Sequence, residues 1–284
     1  MTHHKFLIDA ADLQSHLGKP GWRIVDCRFD LMQPERGFAD YIAGHIPGAV
    51  YAHLDRDLAA PPGATTGRHP LPLPASFTGT LGGWGITTDT RVVIYDYGSG
   101  AIAARLWWML RWMGHSEVAL LDAGYAGWIR AGLVVSSEIP QVLPVNYSAT
   151  ADNRMVVTTA EVAQRLSQSG GADLLDARDA DRFRGEREPI DPVAGHIPGA
   201  GNLPVASSLN SDGSWKSQEE LKELWSEALQ GRQDKSWIAM CGSGVTACHL
   251  ALSAQLAGFP MPRLYAGSWS EWIRDRRRAV AIGG

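Results

Sequence analysis

A single cysteine, Cys241, opens the turn Cys241-Gly242-Ser243-Gly244-Val245-Thr246. The residues before it, Ser236 to Met240, are short and mostly apolar and predict a buried strand. The residues after it, Val245 to Ala257, are rich in Ala and Leu and end at Gly258, which predicts a helix with its stop signal. The thiol is thereby expected where backbone N–H groups gather at a helix N-terminus. Gly242 and Gly244 are expected to let that backbone take unusual dihedrals and approach the sulfur closely. Such amides, with the helix dipole, stabilise an anion and favour the thiolate, the nucleophilic form of cysteine. The chemistry this pattern favours is attack by a sulfur anion on a small substrate. The alternative for the same letters is an ordinary Gly-rich turn around a buried structural cysteine.

The remaining cysteines narrow the setting. The chain has three, Cys27, Cys241 and Cys248, too few for a disulfide framework and consistent with a reducing, cytoplasmic compartment. Seven residues of helix separate Cys241 from Cys248 by about 10 Å, beyond the reach of a bridge. Cys248 is therefore expected to pack as a small hydrophobe. No zinc-type spacing joins the cysteines to the nine histidines, so no metal and no cofactor is expected. The 284 residues, 45% hydrophobic and 20% charged with a net charge of −4, give no electrostatic reason to expect nucleic acid. No apolar run approaches the ~20 residues of a membrane span, and Met1 to Lys5 lead into no secretory segment. The cluster Arg274, Arg276, Arg277 and Arg278, interrupted by Asp275, reads as a solvated helix end.

The elements that must position the cysteine are written twice. Gly44-His45-Ile46-Pro47-Gly48-Ala49 recurs as Gly195-His196-Ile197-Pro198-Gly199-Ala200, an offset of 195 − 44 = 151. Ile24 to Arg28 echoes Leu174 to Arg178, each an apolar strand ending in Asp-x-Arg. Tyr97-Gly98-Ser99-Gly100 matches Cys241-Gly242-Ser243-Gly244 at 241 − 97 = 144, and that offset holds through Trp128 and Trp272. Strands alternate with helices in each copy, which predicts α/β units around parallel sheets. Arg91 to Tyr95 is expected as a strand and Ala101 to Met113 as a helix whose Trp107, Trp108 and Trp112 pack in a core or interface. Ser136 to Asp152, with Pro140 and Pro144, predicts an extended connector. The domains are placed at 1–137 and 153–284, with a linker at 138–152. Only the second copy carries the cysteine, so one copy is expected to do chemistry and the other to supply a wall.

Together these motifs, with Ser268-Trp269-Ser270-Glu271-Trp272, resemble the tandem rhodanese sulfurtransferases, a family of thiosulfate and 3-mercaptopyruvate sulfurtransferases. The resemblance implies two rhodanese-like domains, each a small parallel sheet flanked by helices. It implies that Cys241 carries sulfur as a persulfide, taken from a small donor and given to cyanide or to a thiol, such as that of a reduced thioredoxin-like protein. Gly242, Gly244, Val245 and Thr246 would then line the sulfur.

Members that use thiosulfate typically carry two cations after the cysteine, where this chain has Gly242 and Ser243. The loop is similar to the mercaptopyruvate type, in which the loop serine works with a His and an Asp as a proton relay. That pattern implies Ser243, His69 and Asp55 here; the alternative for His69 is a local hydrogen bond in its loop. The family's Arg-Phe-x-Gly element matches Arg182-Phe183-Arg184-Gly185 and implies Arg182 as a carboxylate ligand; the alternative is an ion pair with Asp179 or Glu186. The family's second arginine, in Pro-Glu-Pro-Arg, has no match, so either it is missing or Arg187 or Arg184 stands in for it. The Asp-x-Arg pairs and the repeated His45 and His196 occur in both copies and are expected to hold the fold.

Two other classes fit less well. A cysteine-dependent phosphatase needs Cys-x5-Arg, and Ala247 stands where that arginine belongs. A non-catalytic binding module commonly lacks the cysteine that this chain retains.

Overall fold

Short runs of β-branched and apolar residues bounded by Gly, Pro and Asp make the strands of both copies. The computed structural model describes residues 5–169, 173–229 and 236–283. Met1 to His4, part of the segment expected to hold no leader, lie outside them. The first copy forms β1 (Leu7–Ile8), β2 (Trp22–Asp26), β3 (Ala49–Tyr51), β4 (Arg91–Tyr95) and β5 (Val118–Leu121). All pair in parallel, in the order β1-β5-β4-β2-β3. Val25 at the centre lies between Val50 and Ile94. The helices are α1 (Ala10–Ser15), α2 (Arg36–Ala43), α3 (Leu54–Asp57), α4 (Pro74–Gly83), α5 (Ala103–Trp112) and α6 (Gly124–Arg130).

The second copy repeats the plan with β6 (Leu174–Asp176), β7 (Gly201–Asn202), β8 (Ile238–Met240) and β9 (Arg263–Leu264), in the order β7-β6-β8-β9. Val156 bridges Leu264 in parallel, taking the edge place that β1 holds beside β5. Its helices are α7 (Thr159–Ser169), α8 (Ala180–Phe183), α9 (Gln218–Leu229), α10 (Ala247–Leu256) and α11 (Ser268–Trp272).

Two compact units result. The first comprises Met1–Ala60, Leu71–Asp152 and Leu209–Trp215. The second comprises Pro61–Pro70, Asn153–Ser208 and Lys216–Gly284. A ten-residue arm from the first half of the sequence thus folds with the second unit. The connector 137–152 has neither helix nor strand, and Ser136 before it exchanges two backbone bonds with His45. No helix among the described residues is long and apolar enough to cross a membrane.

The repeated polar residues hold equivalent corners. Arg28 Nη2 bonds Asp26 at 2.7 Å and the Gly44 carbonyl at 2.7 Å; Arg178 Nη2 bonds Asp176 at 2.7 Å and the Gly195 carbonyl at 2.8 Å. His45 Nδ1 lies 2.8 Å from the Tyr41 carbonyl oxygen and its Nε2 3.1 Å from that of Glu138, and His196 meets the carbonyl of Phe183 while stacking on its ring. The expected fold-holding roles are observed. Trp107 and Trp108 on α5 are fully buried and Trp112 nearly so. Truncating any such ring to Ala would cost about 3–5 kcal/mol. Helices α5 and α10 start two residues later than sequence predicts, because the residues ahead of them turn around the loops described next.

Candidate active site

Cys241 follows β8 directly, at the carboxyl end of a parallel sheet, where α/β folds place their ligands. Its side chain is buried at 2% exposure. The Gly244 N–H donates to its Sγ at 3.1 Å. Its own N–H donates to Ser268 Oγ at 3.1 Å, and its carbonyl accepts from Trp269 N–H at 3.0 Å. Ser268 adopts φ +53°, a left-handed conformation that turns its hydroxyl into this bond.

The two loop glycines are required for different reasons. Gly244 has φ +79°, and a Cβ there would lie 2.3 Å from the Ala266 carbonyl oxygen. Gly242 is outside the left-handed region, contrary to the sequence expectation. A Cβ on it would meet Arg68 Nη2 at 3.0 Å, Arg182 Nη2 at 3.7 Å and Asp191 Oδ2 at 3.8 Å. Its smallness leaves room for charged groups rather than for an unusual backbone.

Arg68 and His69 arrive on the arm 61–70, which two adjacent main-chain amides pin to α11. Gly67 N–H donates to Glu271 at 3.3 Å and Arg68 N–H to Ser270 Oγ at 3.1 Å. His69 Nδ1 lies 2.7 Å from Ser243 Oγ, with both side chains buried. The structure therefore brings together two of the three residues assigned to the relay. Asp55, the third, is exposed on α3 in the first unit, where its N–H donates to His53 Nδ1 at 3.2 Å. Thr246 caps α10 without a side-chain capping bond, and Val245 is buried beside it.

Arg182 is not the surface pair that was its alternative. It donates to Glu188 at 2.7 Å and to Asp191 at 3.3 Å, and Asp191 also pairs with Arg68. Glu188 in turn reaches Arg178 at 3.4 Å. Burial pushes the Asp191 carboxyl above its ordinary range, against the pull of Arg68. Burial acts the same way on Glu188, but the bonds from Arg182, Asp191 N–H and Ile190 N–H hold it below that range.

Arg187 is not brought to the loop. It is exposed and donates to Asp181 at 2.6 Å, while Arg184 pairs with Glu186. The second guanidinium beside the loop is Arg68, which sequence reasoning passed over although it adjoins His69. Cys248 is buried and its thiol donates to the Gly244 carbonyl at 3.4 Å, the structural role expected of it. All three cysteines are free. No group of three metal-ligating side chains converges among the described residues.

The twin loop in the first unit explains what is special about this one. There, Asp96 accepts from the amides of Gly98 and Gly100 at 2.9 Å each, Ile102 at 2.9 Å and Ala103 at 3.2 Å. The residue in register in the second copy is Met240, since 240 − 96 = 144. Among the described residues, the amides of Gly242, Ser243, Val245, Thr246 and Ala247 have no protein acceptor. Tyr97, in the place of Cys241, donates to Asp40 at 2.6 Å; burial, then that bond, push its hydroxyl up to about 12.

Residues 9–131 and 158–275 each match the rhodanese-like domain. The chain is 49% identical over 279 residues, 98% of either chain, to a probable 3-mercaptopyruvate sulfurtransferase of Pseudomonas aeruginosa. It is 39% identical over 282 residues, 98% of this chain and 97% of the other, to the putative thiosulfate sulfurtransferase SseB of Mycobacterium tuberculosis. The crystal structure of SseA from Escherichia coli, described as a 3-mercaptopyruvate sulfotransferase with the rhodanese fold, superposes with a TM-score of 0.81 at 32% identity, covering 93% of this chain and 99% of that one. With two matched domains spanning most of its length, the chain belongs to the rhodanese family.

Proposed function

We propose that the protein is a sulfurtransferase that takes a sulfur atom from 3-mercaptopyruvate onto Cys241 and passes it on. The Cys241 thiolate attacks the donor's thiol sulfur, an S–S bond forms and the donor's C–S bond breaks. The carbon fragment leaves as the enolate of pyruvate and gains a proton. An acceptor thiolate or cyanide then removes the outer sulfur and restores the thiolate. The observation that carries this reading is the buried Cys241 Sγ on the Gly244 N–H, in a loop whose other amides have no acceptor among the described residues. Such donors suit a thiolate, and equally a persulfide anion.

The short contact between Ser243 and His69 supports proton movement to the leaving enolate, with Asp55 assigned as the third member of the relay. Arg182 and Arg68 are assigned to the donor's carboxylate, the guanidinium plane suiting that group. Thiosulfate is the second donor. The acceptor is a thiol such as that of a reduced thioredoxin-like protein, in the cytoplasm, where the three thiols stay reduced.

The test is the intact mass of the protein after incubation with each donor. A labile adduct one sulfur heavier should form and should be absent from Cys241→Ser, which should lose transfer with every donor. Ser243→Ala or His69→Ala should lower mercaptopyruvate kcat/KM by about 10²-fold while leaving thiosulfate turnover much less changed. Equal losses with both donors would sink the relay.

A further inference from the structure

Beside Gly242 the loop meets a cluster whose charges cancel. Arg68, Arg178 and Arg182 face Asp176, Glu188 and Asp191, three guanidinium groups against three carboxylates. Asp191 is the member that touches both candidate donor-binding arginines, through Oδ1 to Arg68 and through Oδ2 to Arg182 at 3.3 Å. Its side chain is only 2% exposed, whereas that of Arg68 is 28% and that of Arg182 is 12%. Its Oδ2 lies 3.8 Å from where a side chain on Gly242 would begin. An anion that enters beside the loop must therefore share two cations with a fixed internal carboxylate.

We propose that Asp191 sets donor choice, discriminating against doubly charged sulfur donors in favour of singly charged ones. The inference rests on the reading that Cys241 takes sulfur from an anionic donor. A fixed charge interacts with a ligand in proportion to the ligand's charge. The penalty imposed by Asp191 on thiosulfate, a dianion, is thus twice in free energy what it imposes on the mercaptopyruvate carboxylate. Buried and screened little by salt, it acts at short range. Glu188 anchors Arg182 and Arg178 from the far side and accepts from the N–H groups of Ile190 and Asp191, which fixes the segment that carries Asp191.

The experiment measures kcat/KM for both donors in wild type, Asp191→Asn and Asp191→Glu. Removing the charge while keeping the shape should raise the mercaptopyruvate value about tenfold and the thiosulfate value about a hundredfold, mainly through KM. The thiosulfate-to-mercaptopyruvate ratio should rise about tenfold in D191N and stay at the wild-type value in D191E. The ratio is independent of how much of a preparation is folded, so a partly unfolded variant still reports. An unchanged ratio in D191N, or the same shift in both variants, would overturn the proposal and leave Asp191 as a mere support for Arg68 and Arg182. If wild type forms no sulfur adduct at Cys241 with either donor, it is the sulfurtransferase reading that fails instead.

Discussion

The loop after β4 and the loop after β8 are built from matching letters, Tyr97-Gly98-Ser99-Gly100 and Cys241-Gly242-Ser243-Gly244, and both place a left-handed glycine fourth, with φ +73° and +79°. They differ in what their amides hold. The first is filled by its own chain, with the Asp96 carboxylate taking four N–H groups. The second has Met240 in that register and a thiol one residue later. The first copy has satisfied its helix terminus permanently, and stability is the result. In the second, the Gly244 N–H meets the sulfur and the amides of Gly242, Thr246 and Ala247 have no protein acceptor among the described residues; reactivity is the proposed result.

The comparison can be broken from either side. Met240→Asp should convert the reactive loop into a copy of the inert one: its new carboxylate should claim the amides and repel the thiolate, lowering sulfur uptake by about 10²-fold or more. Adduct mass and a thermal melt on the same sample read this out. Uptake at the wild-type rate in a folded variant would mean that the amides are not what holds the anion. Asp96→Ala should leave sulfur chemistry alone and destabilise the protein by about 3 kcal/mol, because buried amides lose their acceptor. A urea titration that shifts by less than about 1 kcal/mol would mean that water serves those amides equally well. Smaller still is the contrast between glycines. Gly100→Ala should cost about 1 kcal/mol for its positive φ. Gly244→Ala should cost more, since its methyl would lie 2.3 Å from the Ala266 carbonyl oxygen. Equal midpoints for the two variants would erase that distinction.

Much of this was legible in the sequence, for a reason. Strand-turn-helix punctuation is local, so β4, β8 and the glycines around Cys241 could be read from neighbouring letters. The duplication was legible because matched motifs hold one register over long spans. Asp96 escaped because attention to identical letters passes over the position where the copies differ without a recognisable motif. Arg68 and Asp191 escaped for a different reason, since their ion pair joins residues 123 apart and depends on where an arm lands. Arg187 was favoured by its nearness in sequence to Arg182, but its partner is Asp181, six residues away on the surface. Asp-x-Arg was read correctly as fold-holding because it occurs with and without a nucleophile nearby.

The arm 61–70 has a practical corollary for anyone who would cut the protein in two. Severing it at the seam of the duplication, before Asn153, yields a carboxy-terminal fragment that keeps the thiol yet forfeits Arg68 and His69. Such a fragment would lack the histidine that meets Ser243 and the arginine that pairs with Asp191. The unit that holds the thiol is not contiguous in sequence, and only a cut that leaves residues 61–70 with it preserves its contacts.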